Sequence, residues 1–151
     1  MDVDLASVLH DDAIDVRYEA GDWEDAVRRA GTLLVEVGAA EERYVQAIVD
    51  GIHEHGPYVV LAPGIAIPHA RPESGGLDVG ISVVTLAHPV EFGAKDNDPV
   101  DLVFGLVTND SEAHLQALGA LAEHISEPEN VQALRDADSP EAVARLMKDG
   151  P

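Results

Sequence analysis

Over residues 22–38 the apolar side chains fall at Trp23, Ala26, Val27, Ala30, Leu33, Leu34 and Val37. That three-and-four spacing makes one stripe on a helix. Asp22 is placed to cap its start and Gly38 to stop it. A second helix is predicted over 41–55, burying Tyr44, Val45, Ile48 and Ile52 before Gly56-Pro57 ends it. The pattern then changes. Residues 58–62, 81–87 and 102–107 are short, mostly apolar runs rich in valine and bounded by turn residues, which reads as strands covered on both faces. A further strand is expected at 14–18, after a short opening helix, and a hairpin arm at Val90-Glu91-Phe92. Asn109-Asp110-Ser111 offers caps for a helix over 111–125 with Leu115, Leu118, Ala122 and Ile125 on one face. Ser139-Pro140-Glu141 opens a last helix through Met147, with proline at its first position. Helices interleaved with continuous apolar strands predict an α/β fold of three layers, one sheet between helices. No repeat or linker breaks the chain, so residues 1–151 read as a single domain.

Composition narrows the chemistry. The chain has no cysteine, which removes disulfides, thiolate metal sites and thiol nucleophiles and agrees with a reducing compartment. No long apolar run occurs, and the opening Met1-Asp2-Val3-Asp4 is not a signal segment. The expectation is a soluble cytoplasmic protein with no direct membrane insertion. Against 29 acidic residues stand 9 basic ones, a formal charge of −20. Such a field repels nucleic acid and anionic membrane and suits a basic protein partner. Adaptation to a salty cytoplasm, or solubility alone, would produce the same charge.

The chemistry concentrates in the stretch that follows the strand at 58–62. Ala62-Pro63-Gly64-Ile65-Ala66-Ile67-Pro68-His69-Ala70-Arg71-Pro72 carries three prolines, and those at 68 and 72 restrict the backbone on both sides of His69. Histidine suits such a place, because its neutral ring is nucleophilic and its charge changes near physiological pH. A loop this stiff preorganises a reactive group. A second histidine, His114, falls in the first turn of the helix after the strand at 102–107 and shares a stripe with Leu118, Leu121 and Ile125. If the strands at 58–62 and 102–107 run parallel, their following connections emerge at one sheet edge and bring His69 and His114 together. The helix N-terminus there attracts a phosphoryl anion and disfavours an imidazolium.

The run from Pro57 through Pro68-His69-Ala70-Arg71-Pro72-Glu73 resembles the active-site region of the IIA proteins of the bacterial phosphoenolpyruvate-dependent sugar phosphotransferase system, in the mannitol, fructose and ascorbate subgroup. The strand at 102–107 leading to His114-Leu115-Gln116-Ala117-Leu118, and Tyr44-Val45-Gln46-Ala47-Ile48, are similar to the same family. Ala-Pro-Gly before and Ala-Arg-Pro-Glu after the Pro68-His69 pair look closest to the ascorbate-type branch. The resemblance implies a mixed, largely parallel sheet of about five strands flanked by helices. It also implies a phosphotransferase that needs no cofactor or metal. His69 would accept a phosphoryl group from HPr and pass it to a IIB partner that serves a membrane IIC, and His114 would stabilise the phosphohistidine. Mannitol-type members carry an arginine in the helix before the loop; here that neighbourhood is Gly51-Ile52-His53-Glu54-His55. Arg71, two residues past His69, is the candidate cation for the phosphoryl oxygens. A homodimer is compatible with the reading.

Other readings stay open at this level: a regulatory interaction module of the nitrogen type, a fructose or mannitol carrier, or a metal-dependent hydrolase built on His53-Glu54-His55. Histidines two apart on a helix point to different sides, so that pair makes a poor chelate. Ile65, Ile67 and Leu77 are the expected apolar surface around His69 on which a carrier docks.

Overall fold

The computed structural model describes residues 5–149, so the opening Met1-Asp2-Val3-Asp4 lies outside them. In chain order the elements are α1 (Leu5–Val8), β1 (Leu9–Tyr18), α2 (Trp23–Glu36), α3 (Glu42–His55), β2 (Val60–Ala62), β3 (Ile65–Ala66), β4 (Gly80–Val90), β5 (Val100–Val107), α4 (Ser111–Ile125), α5 (Pro128–Asp136) and α6 (Pro140–Asp149). A 3₁₀ turn at Pro72–Ser74 interrupts the connection from β3 to β4.

The strands form one sheet in the order β1-β4-β5-β3-β2. Its two outer halves differ from the expected, largely parallel arrangement. β1 pairs β4 and β3 pairs β5 in parallel, while β4 pairs β5 and β2 pairs β3 antiparallel. The sheet is mixed and five-stranded as expected, with the two senses evenly represented.

Side chains of the central strands alternate between two cores, as the period of a strand demands. Val84 and Leu86 of β4 and Val103 and Val107 of β5 pack with α2 and α3 on one face. Ile81 and Val83 of β4 and Leu102, Phe104 and Leu106 of β5 pack with α4, α5 and α6 on the other. Both faces are covered, which is why these strands read as continuous apolar runs rather than alternating ones. The approach of α2 is close. Ser82 donates its hydroxyl to the Ala30 carbonyl at 2.8 Å, and a Cβ on its cross-strand partner Gly105 would collide with the Ser82 hydroxyl.

The helix ends follow the predicted chemistry. Asp22 accepts from the Asp25 amide at 2.8 Å and Asp110 from the Ala113 amide at 2.7 Å. Replacing either cap by alanine removes about 1 kcal/mol. Gly38 and Gly56, both at positive φ, terminate α2 and α3. Two expectations shift. β1 begins at Leu9, well before residue 14, and Val90 closes β4 against Val100 rather than opening a separate arm.

Candidate active site

β3 and β5 run parallel, so the chain leaves both at the same sheet edge. His69 follows three residues after Ala66, and His114 lies in the first turn of α4, just past the end of β5. Their ring centroids are 5.1 Å apart with the planes inclined at 51°. The expectation that the two histidines meet holds, but the reason is corrected. The strand at 60–62 is antiparallel to its neighbour β3; the short β3 supplies the parallel partner of β5.

The backbone around His69 is fastened at every peptide. The His69 Nδ1–H donates to the Ile67 carbonyl at 2.7 Å. The Pro68 carbonyl accepts from the Leu106 amide at 3.1 Å. The His69 carbonyl accepts from the Tyr58 hydroxyl at 3.0 Å. The Ala70 amide donates to the Tyr44 hydroxyl at 3.0 Å, and that hydroxyl donates to the Leu106 carbonyl at 2.7 Å with the Ala70 carbonyl 3.1 Å away. Ile67 and Pro68 are buried, so the loop enters from the core with its conformation set. Further on, a Cβ at Gly76 would collide with the Thr108 carbonyl oxygen, which shows how tightly the loop packs on the end of β5.

A carbonyl oxygen can only accept, so the bond to Ile67 assigns the proton of the neutral His69 ring to Nδ1. The lone pair then resides on Nε2. His69 is half-buried and lines a cleft of about 590 Å³ together with Tyr58, Arg71, Ser111, His114 and Leu115. The Tyr58 ring stands edge-on to His69, with centroids 5.8 Å apart. His114 is held more loosely, its Nδ1 lying 3.5 Å from the Thr108 hydroxyl. Burial first, and repulsion from His69 second, push the His114 pKa below the usual imidazole value. The positive end of α4 opens onto the same cleft, where amides of its first turn lack intrahelical partners.

Arg71 is exposed on the cleft wall; its carbonyl accepts from the Ser74 amide at 2.9 Å, while its guanidinium makes no hydrogen bond or ion pair with another described residue. His53 and His55 part company. His53 turns to α2, with Nε2 3.2 Å from the Glu24 carboxylate and its ring edge-on to Trp23. His55 lies edge-on to Tyr58 and borders the cleft. Among the described residues no group of three potential ligands is gathered for a metal ion. No helix among them is long and apolar enough to cross a membrane.

The expected docking surface is also corrected. Ile65 and Ile67 belong to the core at 3% and 0% exposure, whereas Leu77 is exposed as expected. The exposed apolar side chains on the cleft itself are Tyr58 and Leu115, the latter 71% exposed. Sequence reasoning passed over Tyr44 and Tyr58 as site residues.

This arrangement has close counterparts. Residues 7–150 match the family model for the phosphoenolpyruvate-dependent sugar phosphotransferase system, EIIA 2. The ascorbate-specific PTS system EIIA component of Shigella boydii is 39% identical over 142 residues, covering 93% of this chain and 92% of that protein. The solution structure of the mannitol-specific cryptic phosphotransferase enzyme IIA CmtB from Escherichia coli superposes with a TM-score of 0.89 at 36% identity. It covers 98% of this chain and 100% of its own. The mannitol enzyme IIA of Escherichia coli in complex with phosphorylated enzyme IIB matches with a TM-score of 0.79 at 28% identity, over 90% of this chain and 94% of that one. A full-length match to the family model, together with extensive identity to its members, makes this chain a member of the EIIA type 2 family of the phosphoenolpyruvate-dependent sugar phosphotransferase system.

Proposed function

We propose that this protein is a single-domain cytoplasmic phosphoryl carrier that takes a phosphoryl group from the phosphohistidine of HPr onto His69 and passes it to a IIB partner. The observation that carries the reading is the His69–His114 pair, 5.1 Å apart, in which the Ile67 carbonyl holds the Nδ1 proton and leaves Nε2 with the lone pair. In the first transfer that lone pair attacks phosphorus. The P–N bond to the donor imidazole breaks, and its electron pair stays on the donor ring. The second transfer repeats the exchange with a cysteine or histidine of the IIB protein as acceptor. Such exchanges between similar nitrogen or sulfur nucleophiles ask for alignment and charge stabilisation more than for covalent machinery.

Each neighbour has a part in that scheme. His114, kept neutral in the unmodified protein by burial and by His69, gains a dianionic neighbour on phosphorylation and takes up a proton there. Arg71 is free to swing its guanidinium onto the phosphoryl oxygens. The amides opening α4 add a fixed positive end. Tyr58 and Leu115 supply exposed apolar contact for a docking protein. The acidic surface around them suits a basic carrier. Similarity to ascorbate-specific relatives favours ascorbate as the sugar, phosphorylated by the membrane partner rather than here.

The test is incubation with phosphoenolpyruvate, enzyme I and HPr, followed by mass spectrometry of the wild type and of His69→Gln. One phosphoryl adduct on the wild type and none on the variant is expected. An adduct that survives in the variant refutes the assignment.

A further inference from the structure

Tyr44 lies in the first turn of α3 and is wholly buried. Its hydroxyl contacts neither imidazole, yet it joins the two segments that carry them. It accepts from the Ala70 amide at 3.0 Å, immediately after His69, and donates to the Leu106 carbonyl at 2.7 Å. The amide of the same Leu106 takes the Pro68 carbonyl on the other side of His69. The peptides flanking His69 are thus both fastened to one residue of β5, one directly and one through a phenol. From Leu106 the strand continues to Thr108, which is 1% exposed and touches His114.

We infer that Tyr44 is a positioning residue that sets the distance between the His69 and His114 rings. Only a hydroxyl can serve here, because the bridge must accept from an amide and donate to a carbonyl at the same point. Burial pushes the phenol pKa up to about 12, so the donor persists at any pH in which the protein works. Without it the Ala70 amide and the Leu106 carbonyl are stranded in the interior, where an unmet polar group is costly. β5 is locked between β4 and β3 and cannot yield. The His69 loop borders an open cleft, so relief comes from Ala70 moving toward water and carrying His69 away from His114.

The rate consequence rests on the carrier reading above; the geometric claim does not. The test is Tyr44→Phe, which keeps the ring that fills the core. At saturating HPr, transfer to the variant is expected to slow about tenfold to a hundredfold, the scale set by sub-ångström misplacement of reacting groups. The Michaelis constant for HPr should change much less than the rate, because the exposed contacts Tyr58 and Leu115 are retained and the loop shifts without unfolding. A purely structural residue would not alter the electrostatic coupling of the two rings, and NMR titration measures that coupling. His69→Gln should raise the His114 midpoint in the wild-type background and leave it nearly unmoved in the Tyr44→Phe background. An equal rise in both backgrounds overturns the inference, whatever the kinetics. Should Tyr44→Phe fail to fold, amide exchange in the wild type decides. The Ala70 amide must exchange as slowly as the interior of β5, and fast exchange overturns the tether. If the wild type takes no phosphoryl group on His69, the carrier reading fails while the titration comparison still judges Tyr44.

Discussion

His69 and His114 are the same side chain held in opposite ways. His69 has its ring nitrogen tied to a main-chain carbonyl at 2.7 Å and its flanking peptides tied to β5 and to two tyrosines. His114 rests on the first turn of a helix with one 3.5 Å contact to Thr108. A nucleophile needs its lone pair aimed in one direction, so restraint serves it. A charge-stabilising neighbour must gain a proton when a phosphoryl group arrives and lose it afterwards, so looseness serves that one. Burial and the opposing ring lower the His114 pKa beforehand, and on the proposed reading a dianion beside it would reverse the balance.

Breaking the restrained partner has the largest effect. His69→Gln is expected to abolish phosphoryl uptake, read as loss of the adduct in mass spectrometry. His114→Gln leaves the proposed acceptor in place and is expected to slow uptake on the order of a hundredfold, within the range of general acid–base and electrostatic contributions. A loss as complete as that of His69→Gln in stopped assays would erase the distinction between the two rings. Arg71→Gln is expected to slow transfer about tenfold, the weight of one charge-assisted hydrogen bond, with the thermal unfolding midpoint unchanged. Thr108→Val tests how little supports His114. The contact is long, so the cost should be below about 1 kcal/mol in denaturant unfolding, and the His114 ring should keep its place.

The smallest effect is on pH dependence. A histidine with a depressed folded-state pKa stabilises the fold fully above the unfolded value, near 6.5, and loses that contribution as pH falls through the folded midpoint. His114→Gln should therefore flatten the acid side of the stability profile between those two points. A steeper acid limb in the variant would contradict the burial of a neutral ring.

The elements with a strong period were legible beforehand. α2 and α3 repeat their apolar residues every three or four positions over 14 residues each, and the caps Asp22 and Asp110 act as their side chains predict. β3 was not legible, because its two residues, Ile65–Ala66, are too few to display alternation. Yet it is the strand that aims His69. α5 buries only Val131 and Leu134, too thin a stripe to stand out, although Pro128 followed by Glu129 is a helix-opening signal. The stripe of α4 was read in part. Leu121 is buried and Leu118 and Ile125 pack against the core, as the stripe with His114 predicts, whereas Leu115 and Ala122 are exposed and Ala117 is buried. His69 announced itself through its flanking prolines. Tyr44 could not, because its partners are main-chain atoms 26 and 62 residues away, and a tyrosine on the buried stripe of a helix reads as packing.

His69 has one ring nitrogen free of the Ile67 carbonyl, and it lines the cleft that it shares with His114. On the proposed reading, donor and recipient both address that nitrogen, so neither could reach it while the other is bound. In that scheme the protein would work as a turnstile, discharged by one visitor before the next is admitted, and its kinetics are expected to follow a ping-pong scheme with no ternary complex. If HPr is the donor, an excess of its spent form is then expected to slow delivery to IIB by occupying the entrance, and the ratio of charged to uncharged carrier would govern throughput without any second binding site.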